Sequence, residues 1–225
     1  MHDALFQQGI AALQAGDHRT AIQCFSELTR QFPERGHDWF LLGAAWHGAA
    51  HLPEAKTAFA RAIALDPHHL EAHFALAAIS LTLGDADTAL QASLNGAQLA
   101  PEDPQAQTNL AIAQEACKQW SQALASYDRA LQLDPVFADA LKNRGALLAS
   151  TGRIEEAIAN NRDYASLYPN RFDAHFNLGD ACLTGALLEE SARAFTRAIE
   201  LRPGHARAHL HCGCALAMAE QFETA

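Results

Sequence analysis

The sequence of 225 residues lacks most of the patterns that mark an enzyme or a membrane protein. It contains no G-x-S-x-G elbow, no H-E-x-x-H, no C-x-x-C pair and no phosphate-binding glycine loop, so we predict no catalytic constellation and no cofactor. No apolar run approaches the roughly 18 residues of a membrane-spanning helix. The opening MHDALFQQGI has no basic region followed by an apolar core. We therefore expect a soluble, cytoplasmic protein that is not an enzyme.

Positive charge is also scarce. Lysine and arginine number 16 against 26 aspartates and glutamates, which gives a net charge of −10. A nucleic-acid-binding surface needs a basic stripe, and a membrane-surface helix needs a basic amphipathic segment. Neither pattern is present, so we expect neither nucleic acid nor a membrane as a partner.

The cysteines indicate neither disulfides nor a metal site. They are odd in number and scattered along the chain: Cys24, Cys117, Cys182, Cys212 and Cys214. Pairing of the secreted type is therefore not predicted, and packing roles are. On a helix only His205, His209 and Cys212 share one face of the ligand-rich segment near the end. Packing and surface roles are preferred to zinc binding for these three, so no metal is predicted.

Proline is rare, and its positions are regular. Six of the eight prolines stand 34 residues apart: Pro33, Pro67, Pro101, Pro135, Pro169 and Pro203. No strand-type alternation or N-G hairpin signal is sustained anywhere. A period of 34 is typical of an array of helix pairs that presents a surface to partners. The sequence therefore predicts an all-α repeat protein.

Aligning the segments with the proline at position 32 defines seven repeats. They span residues 2–35, 36–69, 70–103, 104–137, 138–171 and 172–205, with a partial repeat at 206–225. The second repeat carries the fullest motif: Trp39, Leu42, Gly43 and Trp46, then Ala55, Phe59 and Pro67. It resembles the tetratricopeptide repeat (TPR) family, whose pattern is W-x2-L-G-x2-Y…A-x3-F…P. The resemblance implies a single-domain right-handed solenoid of six complete helix-turn-helix repeats plus a half repeat.

Glycines at two repeat positions have separate roles in this reading. Position 8 holds glycine in five repeats, where bulk would push the paired helices apart. Gly16, Gly84 and Gly152 share position 15, where the first helix must stop and turn.

Arg144 replaces a leucine common at position 7, and its charge must reach water or an acid. The alternatives are a distorted or solvent-filled joint around repeats four to five and, preferred here, a long side chain that simply extends outward to water.

Asparagine recurs at position 6 of three consecutive repeats, as Asn109, Asn143 and Asn177. A side-chain amide donates to and accepts from a peptide backbone at once, so such a ladder suits an extended peptide. It resembles the TPR superhelix of the O-linked N-acetylglucosamine transferases, whose recurring asparagines clamp substrate polypeptide. Leu41 and Ala75 interrupt the row in repeats two and three. A generic polar choice for a solvated face is the alternative interpretation.

Phenylalanine recurs at the neighbouring position 5, as Phe6, Phe40, Phe74 and Phe176. These rings either line a groove for apolar anchors of a peptide or are covered by neighbouring side chains. Lys142 is the lone cation in this row. Acids surround it, Asp180 among them, which disfavours the carboxylate clamp of chaperone-tail receptors.

Two functions remain open at this point. The first is a protein-protein interaction scaffold that binds an extended peptide or a partner protein in its concave groove. The second is the substrate-recruiting region of a larger enzyme of the glycosyltransferase or sulfotransferase type, continuing past residue 225. The last predicted helix has few charges, so a homodimer through this uncapped helix is a further expectation.

Overall fold

The computed structural model describes residues 2–223, and side chains as far as residue 220. The described residues form thirteen α-helices and no strand. The first helices of the repeats are α1 His2–Gln14, α3 Gly36–Gly48, α5 Leu70–Thr82, α7 Pro104–Ala116, α9 Ala138–Ser150, α11 Phe172–Thr184 and α13 Ala206–Glu223. The second helices are α2 His18–Gln31, α4 Leu52–Leu65, α6 Ala86–Leu99, α8 Trp120–Leu133, α10 Ile154–Leu167 and α12 Leu188–Leu201. The predicted six helix pairs and one further helix are confirmed.

The helices are distributed over two compact units. Unit one spans residues 1–119 and contains α1 to α7, and unit two spans 120–225 and contains α8 to α13. The boundary lies within repeat four, between its two helices. Each unit is a stack of paired helices, and a single-domain array over the whole chain stays a prediction.

The turn between the two helices of a repeat always uses the left-handed backbone region. Gly16, Gly84 and Gly152 have φ between +72° and +77°, as their position predicts. The same position 15 is occupied in the other complete repeats by residues with side chains: Ala50 at φ 62°, Lys118 at 59° and Ala186 at 58°. The repeat geometry therefore imposes this conformation whether or not glycine is present.

Glycine at position 8 lets the paired helix approach closely. A Cβ built on Gly43 would lie 2.7 Å from two ring carbons of Phe59, and one on Gly179 would lie 2.8 Å from the Phe195 ring. Gly213, by contrast, has no such neighbour within 4 Å among the described residues. In repeats two and six the close contact is thus with the aromatic residue at position 24, whereas in repeat five Gly145 meets Asn161 at that position.

A hydrogen bond joins five of the six proline turns to the helix that follows; the exception is the turn at Pro135, because repeat five has Leu141 at the donor position. The side chain at position 4 donates to the carbonyl oxygen of the preceding position 32 proline, at 2.7 to 3.3 Å. The donors are Trp39, His73, Gln107, His175 and His209. Proline therefore ends one helix, and its carbonyl orients the next one.

Arg144 finds an acid, and a cleft opens beside it. Its guanidinium donates to Asp128 Oδ1 at 2.7 Å and to Asn160 Oδ1 at 3.1 Å. The cleft has a volume of about 750 Å³ and lies between residues of α8, α9 and α10. Arg144 thus has an acidic and an amide partner beside a cleft that is lined by residues of repeats four and five.

No helix among residues 2–223 is long and apolar enough to cross a membrane.

Candidate peptide-binding face

In unit two the first helices form one continuous face. Helix α9 contacts α11, and α11 contacts α13. We call this surface, made by α9, α11 and α13, the inner face of unit two. Positions 2, 5, 6 and 9 of these helices supply the candidate binding residues.

Asn143 and Asn177 are half-buried on this face. Neither side-chain amide forms a hydrogen bond to another described residue, so both remain able to donate and accept. The backbone carbonyl of Asn177 accepts from the buried Asn161 Nδ2 at 3.1 Å, which fixes α10 against α11. The backbone of Asn177 is thus tied to α10, and the side-chain amides of both asparagines are uncommitted.

Asn109 lies in unit one, on α7, and its environment is different. Its Oδ1 accepts from Gln105 Nε2 at 2.8 Å, one helical turn earlier. The third asparagine of the predicted ladder therefore has an intrahelical partner, whereas the other two do not.

A cavity of about 490 Å³ opens on the inner face of unit two. Its polar lining includes the predicted residues Asn177 and Asp180, together with His211. Small residues make up much of the remainder: Gly145, Ala146, Ala149 and Ala181. This is where two of the predicted site residues come together.

Asp180 and Lys142 on this face each have a charged or polar partner. His211 Nδ1 donates to Asp180 Oδ1 at 2.6 Å. Lys142 lies 3.9 Å from Asp139 Oδ1, one turn earlier on the same helix. Lys142 and Asp180 thus have different partners and do not form one clamp.

Asp173 faces α10 instead. Its carboxylate accepts from the hydroxyl of Tyr164 at 2.9 Å and from Arg171 at 3.2 Å. Burial, and after it the hydrogen bond to Asp173, raises the pKa of the Tyr164 hydroxyl well above its usual range. These groups support the face from behind.

Phe176 is covered on several sides and half-buried. Its ring centroid lies 5.6 Å from Phe195, 5.2 Å from His205 and 6.0 Å from His211. The guanidinium of Arg207 lies 5.5 Å from the same ring. The phenylalanine of repeat six thus belongs to a cluster of aromatic rings.

The phenylalanines of unit one have similar neighbours. Phe6 lies 6.1 Å from His37, and Phe40 lies 6.2 Å from His37 and 4.5 Å from His69. Phe74 is half-buried beside Gly96, where an added Cβ would lie 3.0 Å from its ring. The rings of the row are therefore half-covered by neighbouring side chains, and their role in binding a peptide stays a prediction.

The histidines were not among the predicted site residues. His69 and His205 occupy the same position 34, and each accepts through Nδ1 from a backbone N–H three residues later. This N-terminal cap holds the imidazole beside the position 5 phenylalanine of its own repeat. A histidine directly before a predicted first helix is the signal that identifies both.

The three residues considered as possible zinc ligands have other partners. His209 Nε2 donates to the Pro203 carbonyl at 2.7 Å, His205 caps α13, and Cys212 is buried near the Ala192 carbonyl. Within residues 2–223 no group of three or more potential ligands is arranged to hold a metal ion. On α13 the apolar residues Leu210, Leu216 and Met218 are exposed. Dimerisation through this helix stays a prediction.

Three protein-family models of the tetratricopeptide repeat match this chain. They match residues 3–35, then 48–107 and 162–206, then 116–152. Among curated proteins, anaphase-promoting complex subunit 3 of Schizosaccharomyces pombe is 24% identical over 163 residues. The match covers 72% of this chain and 24% of that protein, so the chain spans about a quarter of its relative's length.

Solved structures show the same fold at low sequence identity. PilW, a type IV pilus biogenesis factor, superposes with a TM-score of 0.77 at 15% identity, covering 96% of this chain and 98% of that one. YrrB, a TPR protein with an unusual peptide-binding site, superposes with a TM-score of 0.65 at 19% identity, covering 84% and 97%. At these identities the likeness establishes the helix-pair fold alone.

Proposed function

Because the chain belongs to the tetratricopeptide repeat family, we propose that it is a protein-interaction module whose inner face binds an extended segment of a partner protein. Proteins of this fold typically mediate protein-protein interactions, and YrrB has a peptide-binding site. The observation that carries the proposal is the pair of half-buried, uncommitted amides of Asn143 and Asn177 on one face.

The chemistry of these amides suits a peptide backbone. Each offers one acceptor oxygen and two donor hydrogens, which match the N–H and C=O groups of an extended chain without reading its sequence. Packed helices lie roughly 8–10 Å apart, and an extended peptide advances about 3.3 Å per residue. One asparagine would therefore meet about every third residue of the bound segment.

The energy available from the amides alone is small. A hydrogen bond of this kind contributes about 1 kcal/mol net. Two or three rungs therefore support weak capture, and tighter binding requires side-chain contacts. The half-covered rings of Phe6, Phe40, Phe74 and Phe176 supply apolar surface for such contacts, with the nearby histidines extending it.

The test is binding to an array of unrelated peptides by the wild-type chain and by the variants Asn143→Ala and Asn177→Ala. Each variant should weaken binding to most peptides by about fivefold, which corresponds to one lost hydrogen bond. Asn95→Ala is the control, because Asn95 is an exposed asparagine on a second helix. Equal binding by all four proteins would show that the amides do not hold peptide backbone. The same array with Asn109→Ala tests the third rung.

A further inference from the structure

One charged residue interrupts an apolar position on the inner face of unit two. Position 9 is apolar in the six other repeats: Ile10, Ala44, Ala78, Ile112, Ala146 and Cys214. Repeat six has Asp180, which lines the cavity of about 490 Å³. Since alanine, isoleucine and cysteine all occupy this position elsewhere, packing does not require a carboxylate here.

The hydroxyls that line the cavity have already committed their hydrogens. Ser150 Oγ donates to the Leu147 carbonyl at 2.9 Å, and Thr184 Oγ1 donates to the Asp180 carbonyl at 2.9 Å. Only the lone pairs of these two oxygens remain for a ligand. Both hydroxyls therefore act as acceptors towards the cavity.

The carboxylate and the imidazole add further acceptors. His211 Nδ1 donates to Asp180 Oδ1, so in its neutral form the ring presents Nε2 as an acceptor. Asp180 Oδ2 forms no hydrogen bond to another described residue. Asn177 contributes one acceptor and one donor group. The acceptors in the lining therefore outnumber the free donors, which favours a ligand that donates hydrogen bonds and carries positive charge.

We propose that this cavity binds an arginine side chain of the peptide, an inference that rests on the proposed function. A guanidinium has five N–H donors in a planar fork and sheds its hydration more readily than an ammonium group, so it suits several acceptors around one carboxylate. The small residues Gly145, Ala146 and Ala181 leave room for the side chain. The net charge of −10 favours the same partner.

The experiment compares two acetylated and amidated peptides of alanine and serine. One has a central arginine and the other has citrulline, which has nearly the same shape and no charge. Fluorescence anisotropy gives the dissociation constant of each. We expect the arginine peptide to bind about tenfold more tightly, as one charge-assisted hydrogen-bonded contact provides.

Variants assign that preference to the cavity. Asp180→Asn should abolish it, and so should Asp180→Ala, whose alanine matches repeats two, three and five. Asp163→Asn is the control, because it removes one exposed carboxylate of the same unit outside the cavity. It should leave the preference intact.

The outcomes separate the two proposals. If both peptides bind equally, or if the preference survives in both Asp180 variants, the arginine site is wrong and peptide binding stands. If neither peptide binds, both proposals are overturned. Loss of the preference in Asp163→Asn as well would assign it to overall charge and would overturn the site.

Discussion

The close approach of helices in repeat two can be tested by adding one methyl group. In Gly43→Ala the new Cβ would lie 2.7 Å from Cδ1 and Cε1 of Phe59 and 3.0 Å from Cγ. Phe59 is only 2% exposed, so its ring cannot turn away into solvent. The substitution therefore forces α3 and α4 apart.

Two opposing effects set the size of the change in stability. Alanine in a helix interior is favoured over glycine by about 1 kcal/mol. Overpacking of a tight core contact costs about 1–3 kcal/mol. We therefore expect Gly43→Ala to lower the free energy of unfolding by up to about 2 kcal/mol, despite its better helix propensity.

A double-mutant cycle isolates the contact. In a Phe59→Ala background the ring is absent, so Gly43→Ala should stabilise the protein by about 1 kcal/mol. Repeat three is a natural precedent, since it pairs Ala77 with Ser93 at the same two positions. Urea unfolding followed by circular dichroism gives the four free energies. The reasoning is refuted if Gly43→Ala destabilises both backgrounds equally. Gly213→Ala, which meets no atom within 4 Å, should not destabilise the protein.

Two further predictions concern unit two. Ala186→Gly should stabilise the protein by about 0.5–1 kcal/mol, because alanine at φ 58° costs roughly 1–2 kcal/mol and the greater freedom of glycine in the unfolded state offsets part of this gain. The reverse substitution Gly152→Ala should destabilise the protein by a similar amount. Unfolding midpoints equal to that of the wild type for both variants would contradict this prediction. Burial, with a smaller effect of Glu190, raises the pKa of the Cys182 thiol to about 11. The folded state therefore favours the protonated thiol. Because the thiol of the unfolded chain loses its proton first, the free energy of unfolding should fall as pH rises from about 8.5 through 11. Cys182→Ala should fall less in stability over that range, and identical pH profiles would contradict the assignment.

The helix arrangement was predictable from the sequence because one helix pair recurs with a single period of 34 residues. The prolines at position 32 and the glycines at position 8 both report backbone constraints, which repeat whenever the helix pair repeats. The left-handed turns at Ala50, Lys118 and Ala186 were not predicted from residue type, since none of these residues favours that region. These residues nevertheless occupy the same repeat position as Gly16 and Gly84, so the spacing alone indicates the left-handed turn.

The candidate site was only partly predictable. Asn177 and Asp180 line a common cavity, but the sequence does not reveal that Asp180 pairs with His211, 31 residues away. That contact depends on side-chain conformations across two helices. Asp38 is another departure from the repeat pattern, because the six other repeats have alanine at this position. Its buried carboxylate is paired with His2 Nε2 at 3.2 Å. Departures from the repeat pattern were visible, whereas the contacts that accommodate them required the structure.

The hydrogen bond from position 4 to the proline carbonyl makes the repeats exchangeable. The acceptor is a backbone atom, which every repeat supplies whatever its sequence, and tryptophan, histidine and glutamine all serve as donors. Five of the seven repeats carry such a donor, whereas repeats one and five have leucine at this position. A donor-carrying repeat that is duplicated or moved would meet an equivalent acceptor at the new junction. Repeats that carry the donor can therefore change in number and order while this hydrogen bond is kept, and the binding residues on the inner face can vary without affecting it.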